Sequence, residues 1–206
     1  MHYFYKSSLM RDVMATCGDH SRTKNGTSAC FVSNHGAGTT FSGTVTLTAY
    51  DHFGTGAGAV VVSKPVEMLA GPGALEWFNA DLPPGNTSSI ISTVHNAEGE
   101  VMSEHMVQLV KPMELRVPLA ELSFKIAPTA KKDGTIDIAV SSTKVALWVT
   151  LTTLAQGRFS DNAFLLPATS RTIQFVPNSP STAATDLQVL KASLRIEDFS
   201  MYRPLV

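Results

Sequence analysis

Two short stretches in which every second residue is apolar constrain the fold most strongly. In TFSGTVTLTAY (40–50), Val45, Leu47 and Ala49 alternate with threonines, and in TIDIAV (135–140) isoleucine and valine alternate with smaller or polar residues. Successive side chains of a strand point to opposite faces, so a period of two predicts a strand with one buried face. These stretches therefore predict sheets that each cover one side of a core.

Glycine-containing turns separate further runs of this kind. The clearest hairpin is predicted over 88–110, where two β-rich runs flank the loop Asn96-Ala97-Glu98-Gly99, and a second is predicted at Lys132-Asp133-Gly134. Pro65 lies inside another apolar run, AVVVSKPVEML (59–69), so part of this run is predicted to be an edge strand or a bend. Many short strands with frequent turn signals are typical of antiparallel sandwiches.

A proline-containing interruption, KPMELRVP (111–118), divides the chain. We expect a leading segment at 1–15, whose apolar residues have roughly helical spacing, followed by domains at 16–112 and 113–206. Units of about 100 residues have the immunoglobulin-like size. The predicted fold is all-β, with two consecutive immunoglobulin-like antiparallel β-sandwiches after a short N-terminal candidate helix.

Charge and hydropathy exclude several classes of function. The net charge is −1, and the densest basic cluster is Lys131-Lys132, so nucleic-acid binding is not expected. No apolar run approaches the ~20 residues of a membrane-spanning helix, and no membrane association or signal peptide is expected. The glycines of DHFGTGAGAV (51–60) lack the dinucleotide-binding spacing, which favours an interstrand loop, and no cofactor is predicted.

The two cysteines, Cys17 and Cys30, are too few for a disulfide scaffold or a four-cysteine zinc site. They can pair if adjacent strands bring them together, but free thiols are the favoured expectation.

Candidate catalytic and metal-binding residues are sparse. His95 and His105 flank the predicted hairpin, but no third ligand follows at a fixed spacing, so no metal site is predicted. Ser160 and Asp161 could join a histidine in a triad, but the sequence lacks the G-x-S-x-G elbow. Solvated histidines and a structural role for Ser160 and Asp161 are the expected interpretations.

Exposed aromatic residues and glycosylation sequons are the remaining candidate sites. Trp77 is a candidate platform for stacking a sugar ring, whereas Trp148 lies in an apolar run and is expected to pack in the core. Asn25 and Asn86 begin N-x-S/T sequons in turn-like contexts and are candidate glycosylation sites.

The stretch GRFSDNAFLL (157–166) combines polar residues with flanking apolar runs. Its Gly157, Phe159, Ser160, Asp161 and Asn162 are predicted to form a structural turn. Asp and Asn side chains hydrogen-bond nearby backbone amides, glycine accommodates a positive φ, and the phenylalanine anchors the loop to the core.

This turn and the strands around it (146–175) resemble the last β-sandwich of β-mannosidases of glycoside hydrolase family 2. That family has a G-x-F-S-D-N-x-F-x-L-L-P turn followed by an R-T-V-x-F strand. Ala168-Thr169 replaces the usual Gly-Glu. The residues 193–203 resemble the family's C-terminus, and 1–18 resemble the segment that leaves its catalytic barrel.

The resemblance implies a retaining mechanism in the parent enzyme, with two glutamates on a (β/α)₈ barrel. The family's acid/base lies in an Asn-Glu dipeptide, which this sequence lacks, so no catalytic residue is assigned. The chain is therefore expected to be a non-catalytic portion that is inactive alone and partners a barrel in cis. A lysosomal or secretory location is implied if the eukaryotic family pattern holds.

Other functions fit the same fold. The chain could correspond to part of an exo-β-glucosaminidase, because those enzymes carry a similar S-D-N turn. It could also be a stand-alone sandwich that binds glycans or another protein, since a fold does not fix a function.

Overall fold

The computed structural model describes residues 12–18, 27–36, 40–69, 74–167 and 169–202. Among them, the residues up to 116, apart from 53–56, form one compact unit, and 53–56 with the residues from 117 onward form a second. Each described unit contains seven strands arranged in two antiparallel sheets, one of four strands and one of three. The predicted all-β fold of immunoglobulin-like sandwiches is confirmed.

In the first unit, alternation places one face of each sheet against a common core. The strands are β1 (Val13–Cys17), β2 (Ser28–Asn34), β3 (Phe41–Asp51), β4 (Ala59–Met68), β5 (Ala74–Ala80), β6 (Ser88–Asn96) and β7 (Val101–Val107). They form sheets of order β1-β2-β5 and β4-β3-β6-β7. Val45 and Leu47 are fully buried in this core, as their period-two pattern predicts.

Turn chemistry determines the connections of the first unit. The predicted hairpin joins β6 to β7, and Gly99 adopts φ 82° in its turn, a conformation that costs glycine little. The glycine-rich stretch lies in the connection between β3 and β4. Pro65 lies on β4, which is an edge strand. A proline is tolerated there because one side of an edge strand has no partner strand that needs its N–H.

The predicted N-terminal helix is largely outside the described residues. Its last apolar position, Val13, lies in β1 and pairs with Asn34 of β2. The helical spacing therefore does not extend through Val13, because this residue contributes to a sheet.

The second unit also has a four-stranded and a three-stranded sheet, but its strands are mostly shorter and are distributed differently between the sheets. These are β8 (Leu122–Ile126), β9 (Ile136–Ser142), β10 (Ala146–Thr152), β11 (Gly157–Phe159), β12 (Phe164–Leu166), β13 (Ser170–Pro177) and β14 (Arg195–Glu197). The sheet orders are β11-β13-β9-β8 and β12-β10-β14. The predicted turn at 132–134 connects β8 to β9, and its Gly134 has φ 85°.

One helix, α1 (Ala183–Ser193), was not predicted. The polar run at 178–186 indicates a connection between strands, but its last four residues lie in α1. Leu187 and Leu190 of α1 are buried, while Asp186 accepts hydrogen bonds from the Gln156 backbone N–H and the Thr182 hydroxyl. Long-range packing and the bond from Gln156 help to stabilise the helix, and neither is visible as a local pattern.

The expectation of free cysteines is wrong. Cys17 of β1 lies directly opposite Cys30 of β2, and the two form a disulfide in the buried core of the first unit. Spacing along the chain does not reveal this contact, because it depends on the register with which β1 pairs to β2. The bond links the edge strand β1 covalently to the central strand of its sheet.

Replacing both cysteines by alanine should lower the free energy of unfolding of the first unit by about 3 kcal/mol, the effect expected for cross-linking a loop of this size. Urea unfolding followed by circular dichroism measures the change. Dithiothreitol should lower the wild-type midpoint and leave the double variant unaffected. An unchanged wild-type midpoint under reducing conditions would contradict a stabilising disulfide.

Candidate functional site

The stretch 157–166 forms the corner at which the chain passes from one sheet of the second unit to the other. Strand β11 pairs with β13 in the four-stranded sheet, whereas β12 pairs with β10 in the three-stranded sheet. Four residues, 160–163, lie between them. These residues must satisfy backbone groups at the end of each ladder without belonging to either strand.

Ser160 extends the ladder between β11 and β13. Its backbone N–H donates to the Gln174 carbonyl at 2.7 Å, and its hydroxyl accepts from the Gln174 N–H at 3.0 Å. The serine thus satisfies both backbone groups of a residue in the neighbouring strand, one of them through its side chain. The hydroxyl that resembled a nucleophile has a structural acceptor role.

Asn162 extends the opposite ladder by means of its side-chain amide. Its Oδ1 accepts from the Leu151 N–H at 2.8 Å, and its Nδ2 donates to the Leu151 carbonyl at 2.9 Å. The amide therefore reproduces the two hydrogen bonds that a paired strand residue would make. Leu151 is buried, so both of its backbone groups need these partners.

The Asp161 carboxylate links the corner to the neighbouring strand β13. One carboxylate oxygen accepts from the Asn162 N–H at 2.8 Å, and the other lies 2.7 Å from the guanidinium of Arg171 on β13. That guanidinium also lies 4.7 Å from the centre of the Phe164 ring, a cation–π distance. Both ends of the carboxylate are therefore engaged within the fold.

The role expected of Gly157, a positive φ, is wrong. The glycines with positive φ among the described residues are Gly56, Gly99 and Gly134. Gly157 is required instead by close approach, since a Cβ there would collide with the Val176 carbonyl and the Phe175 ring. The left-handed position of the corner is Ala163, with φ 58°.

Phe159 anchors the corner as the sequence predicts, since its buried ring packs edge-on against Phe175 at 5.5 Å. Taken together, the hydroxyl, carboxylate and amide of this stretch are all bonded to the protein itself. These partners are the ones that a structural turn requires, and the structural role of the corner remains a prediction.

Trp77 is exposed on β5, with 63% of its surface accessible. Its ring lies 5.1 Å from that of Phe31, its cross-strand neighbour on β2, at an interplanar angle of 49°. The two rings form an aromatic pair on the outer face of the β1-β2-β5 sheet. This geometry leaves Trp77 able to contact a flat ligand from solvent.

The two histidines of the hairpin are not adjacent. His105 pairs across the sheet with Ser92, whereas His95 pairs with Val101. Because Ser92 and His95 are an odd number of residues apart on one strand, the histidines face opposite sides of the sheet. No group of three or more His, Cys, Asp or Glu within the described ranges is placed to hold a metal ion.

The sequon at Asn86 lies in the turn before β6, where the Asn86 carbonyl accepts from the Arg116 N–H. The side chain is half-buried. Asn25 lies outside the described residues. Both asparagines remain candidate glycosylation sites.

A buried histidine that the sequence does not single out, His52, stands beside this turn. Its Nδ1 bonds the Arg116 carbonyl at 2.8 Å and its Nε2 bonds the Ser89 hydroxyl at 2.9 Å. Burial lowers the pKa of His52, although the bond to the Arg116 carbonyl and the charge of Asp51 oppose this effect. The fully satisfied ring indicates a structural role.

Trp148 departs from the expected core position. It is half-buried on β10 and lines a cavity with Thr150, Glu197, Asp198, Phe199 and Tyr202.

Asp198 is only 3% exposed and accepts bonds from the Ser200 amide and hydroxyl. Burial raises the pKa of Asp198, and these bonds oppose the shift. Its carboxylate is thereby occupied within the fold.

The comparisons with known proteins identify the second unit. Residues 119–201 match the Ig_mannosidase family, an Ig-fold domain. No curated protein sequence matches the chain. Among the described residues, no helix has the length and apolar character needed to cross a membrane.

Two solved structures share the fold over 96% of this chain. A β-D-mannosidase from Dictyoglomus thermophilum has a TM-score of 0.63 at 20% identity, and this chain spans 22% of that enzyme's length. The exo-chitosanase CsxA from Amycolatopsis orientalis has a TM-score of 0.53 at 16% identity, with 26% of its length covered. The resemblance to the C-terminal Ig-like region of family 2 β-mannosidases is confirmed.

Replacing Asn162 by alanine should destabilise the second unit by about 3 kcal/mol, because both buried backbone groups of Leu151 lose their partners. Asp161→Asn is the matched control. It keeps an acceptor for the Asn162 N–H and loses a half-exposed ion pair with Arg171, which is worth about 1 kcal/mol or less. Urea unfolding of both variants measures the difference. An equal loss of unfolding free energy in both variants would show that the hydrogen bonds from the Asn162 amide to Leu151 are not a major source of stability.

Proposed function

We propose that this chain is the non-catalytic C-terminal β-sandwich portion of a β-mannosidase-like glycoside hydrolase of family 2. The observation that carries the proposal is the Ig_mannosidase match over 119–201. The fold similarity to a β-D-mannosidase over nearly the whole chain, but over only 22% of that enzyme, supports it. In such an enzyme the two sandwiches would support a catalytic barrel in cis.

The chemistry of the described residues agrees with a supporting role. A retaining glycosidase needs two carboxyl groups about 5–5.5 Å apart that both reach the glycosidic bond. Glu197 and Asp198 line the same cavity, but the Asp198 carboxylate is buried and bonded to Ser200. Asp161 is similarly engaged by Arg171. Neither aspartate is free to act on a substrate.

The parent activity proposed is removal of terminal β-D-mannose with retention of configuration. The corresponding region of an exo-β-glucosaminidase is the alternative, and the lower fold similarity to the exo-chitosanase makes it the second choice. We also propose a secretory or lysosomal route. The Cys17–Cys30 disulfide supports it, because disulfides persist in oxidising compartments.

The purified 206-residue chain should hydrolyse neither p-nitrophenyl β-D-mannoside nor the corresponding β-D-glucosaminide above the rate of buffer. An intact family 2 β-mannosidase is the positive control, and a preparation from host cells lacking the gene is the background. Hydrolysis that co-elutes with the folded chain and exceeds this background would overturn the non-catalytic assignment.

A second candidate function, glycan binding, is favoured by the exposure of Trp77 and its pairing with Phe31. Aromatic rings that remain accessible on a sheet face can stack against the apolar face of a pyranose ring. This function would be compatible with either a stand-alone module or a domain of a larger enzyme.

If Trp77 binds a glycan, titration with mannobiose or a chito-oligosaccharide should give saturable binding that Trp77→Ala abolishes, because the variant removes the stacking surface. Leu154→Ala, which removes another strongly exposed apolar side chain, is the matched control and should retain binding. Calorimetry measures both. Flat titrations with the wild-type chain would exclude this function for these sugars.

A further inference from the structure

The second unit contains a cavity whose lining includes no residue of the corner. Its volume is about 300 Å³, and it is bounded by β10, β14 and the 3₁₀ turn Phe199–Met201. The lining comprises three aromatic and three polar side chains: Trp148, Thr150, Glu197, Asp198, Phe199 and Tyr202. Its size is at the lower end of ligand pockets and suits a single small molecule.

The backbone is strained where it presents Trp148 to this cavity. Trp148 has φ 53°, and the register of β10 against β12 shifts between Ala146 and Val149. A left-handed conformation costs a bulky residue on the order of 1–3 kcal/mol, and bulges of this kind redirect side chains. The redirected indole packs edge-on against Phe199, with ring centres 5.1 Å apart.

The polar side chains of the lining offer acceptors rather than donors. The Tyr202 hydroxyl donates to Glu197 Oε2 at 2.8 Å, and the Thr150 hydroxyl donates to the Trp148 carbonyl at 2.9 Å. Asp198 is occupied by Ser200. No Lys or Arg is among the described lining residues. A ligand that donates to Glu197 and carries a positive charge therefore suits these polar side chains.

We propose that this cavity binds a small organic cation through an ammonium group, held by the aromatic rings of Trp148, Phe199 and Tyr202 and by the carboxylate of Glu197. Aromatic faces attract cations that lie within about 6 Å of the ring centre, and a nearby carboxylate adds charge complementarity. The ammonium can belong to a methylated amine or to an amino sugar, which share this chemistry. The proposal does not depend on the identity of the parent enzyme.

Trp77→Phe leaves Trp148 as the sole tryptophan, so its fluorescence reports on this cavity alone. In this background, choline should change the emission saturably. Its neutral isostere 3,3-dimethyl-1-butanol should bind at least about tenfold more weakly, because it retains the shape and lacks the charge. A second pair, D-glucosamine against D-glucose, tests the amino-sugar source in the same way. Saturable binding of either cation with this discrimination supports the proposal and identifies the source.

Glu197→Gln should weaken binding of the preferred cation by about fivefold or more, since it removes the charge but not the shape. The matched control is Glu121→Gln, an exposed position in the same unit outside the cavity. Tyr202→Ala provides a second variant at a side chain that is 70% exposed, where folding should tolerate the change. Both cavity variants should bind more weakly than the control.

Three results would overturn the proposal. The first is no saturable response to either cation at concentrations up to about 100 mM, beyond the weakest affinities of small sites. The second is equal binding of the charged and neutral members of both pairs. The third is equal affinity of the Glu121→Gln control and of both folded cavity variants.

Discussion

A chain that passes from one sheet of a sandwich to the other must end two ladders of hydrogen bonds at once, and this requirement governs the second unit. Ser160 and Asn162 meet it by substituting side-chain groups for strand backbone on the two sides of the corner. The corner holds β11 and β12 in different sheets and places Phe159 and Phe164 in the core between them. The polar composition that suggests catalysis follows from this structural demand.

The sequence predicted those strands and turns that depend on neighbouring residues alone. The alternation around Val45 and Ile138 placed strands, and Gly99 and Gly134 marked turns whose backbone requires a positive φ. Helix α1 was missed because its stability depends on burial of Leu187 and on bonds from Asp186 to a distant loop. The Cys17–Cys30 bond was missed because strand register is a long-range property.

In the candidate site, too, local features were predicted from the sequence and long-range contacts were not. The resemblance of 157–166 to a known family identified the corner, and the residue types indicated a turn. The partners that explain it, Leu151 and Gln174, lie 11 and 14 residues away in sequence and on different sheets. Gly157 was expected to matter for φ, but the approach of Val176 gives the actual reason. The cavity beside Trp148 depends on a bulge that no spacing in the sequence reveals.

The corner, which resembles a turn of family 2 β-mannosidases, is therefore distinct from the surfaces that could bind ligands. The corner is fully bonded within the fold, whereas Trp77 and the Trp148 cavity present aromatic groups to solvent or to a partner. We propose that the chain supports catalysis elsewhere in a larger enzyme. The most direct measurement is the mass of the natural polypeptide, detected with an antibody against this chain in its source. We expect the antibody to detect a polypeptide several times heavier than 22.1 kDa and to precipitate β-mannosidase activity with it. A polypeptide of 22.1 kDa alone, with no precipitated activity, would contradict it.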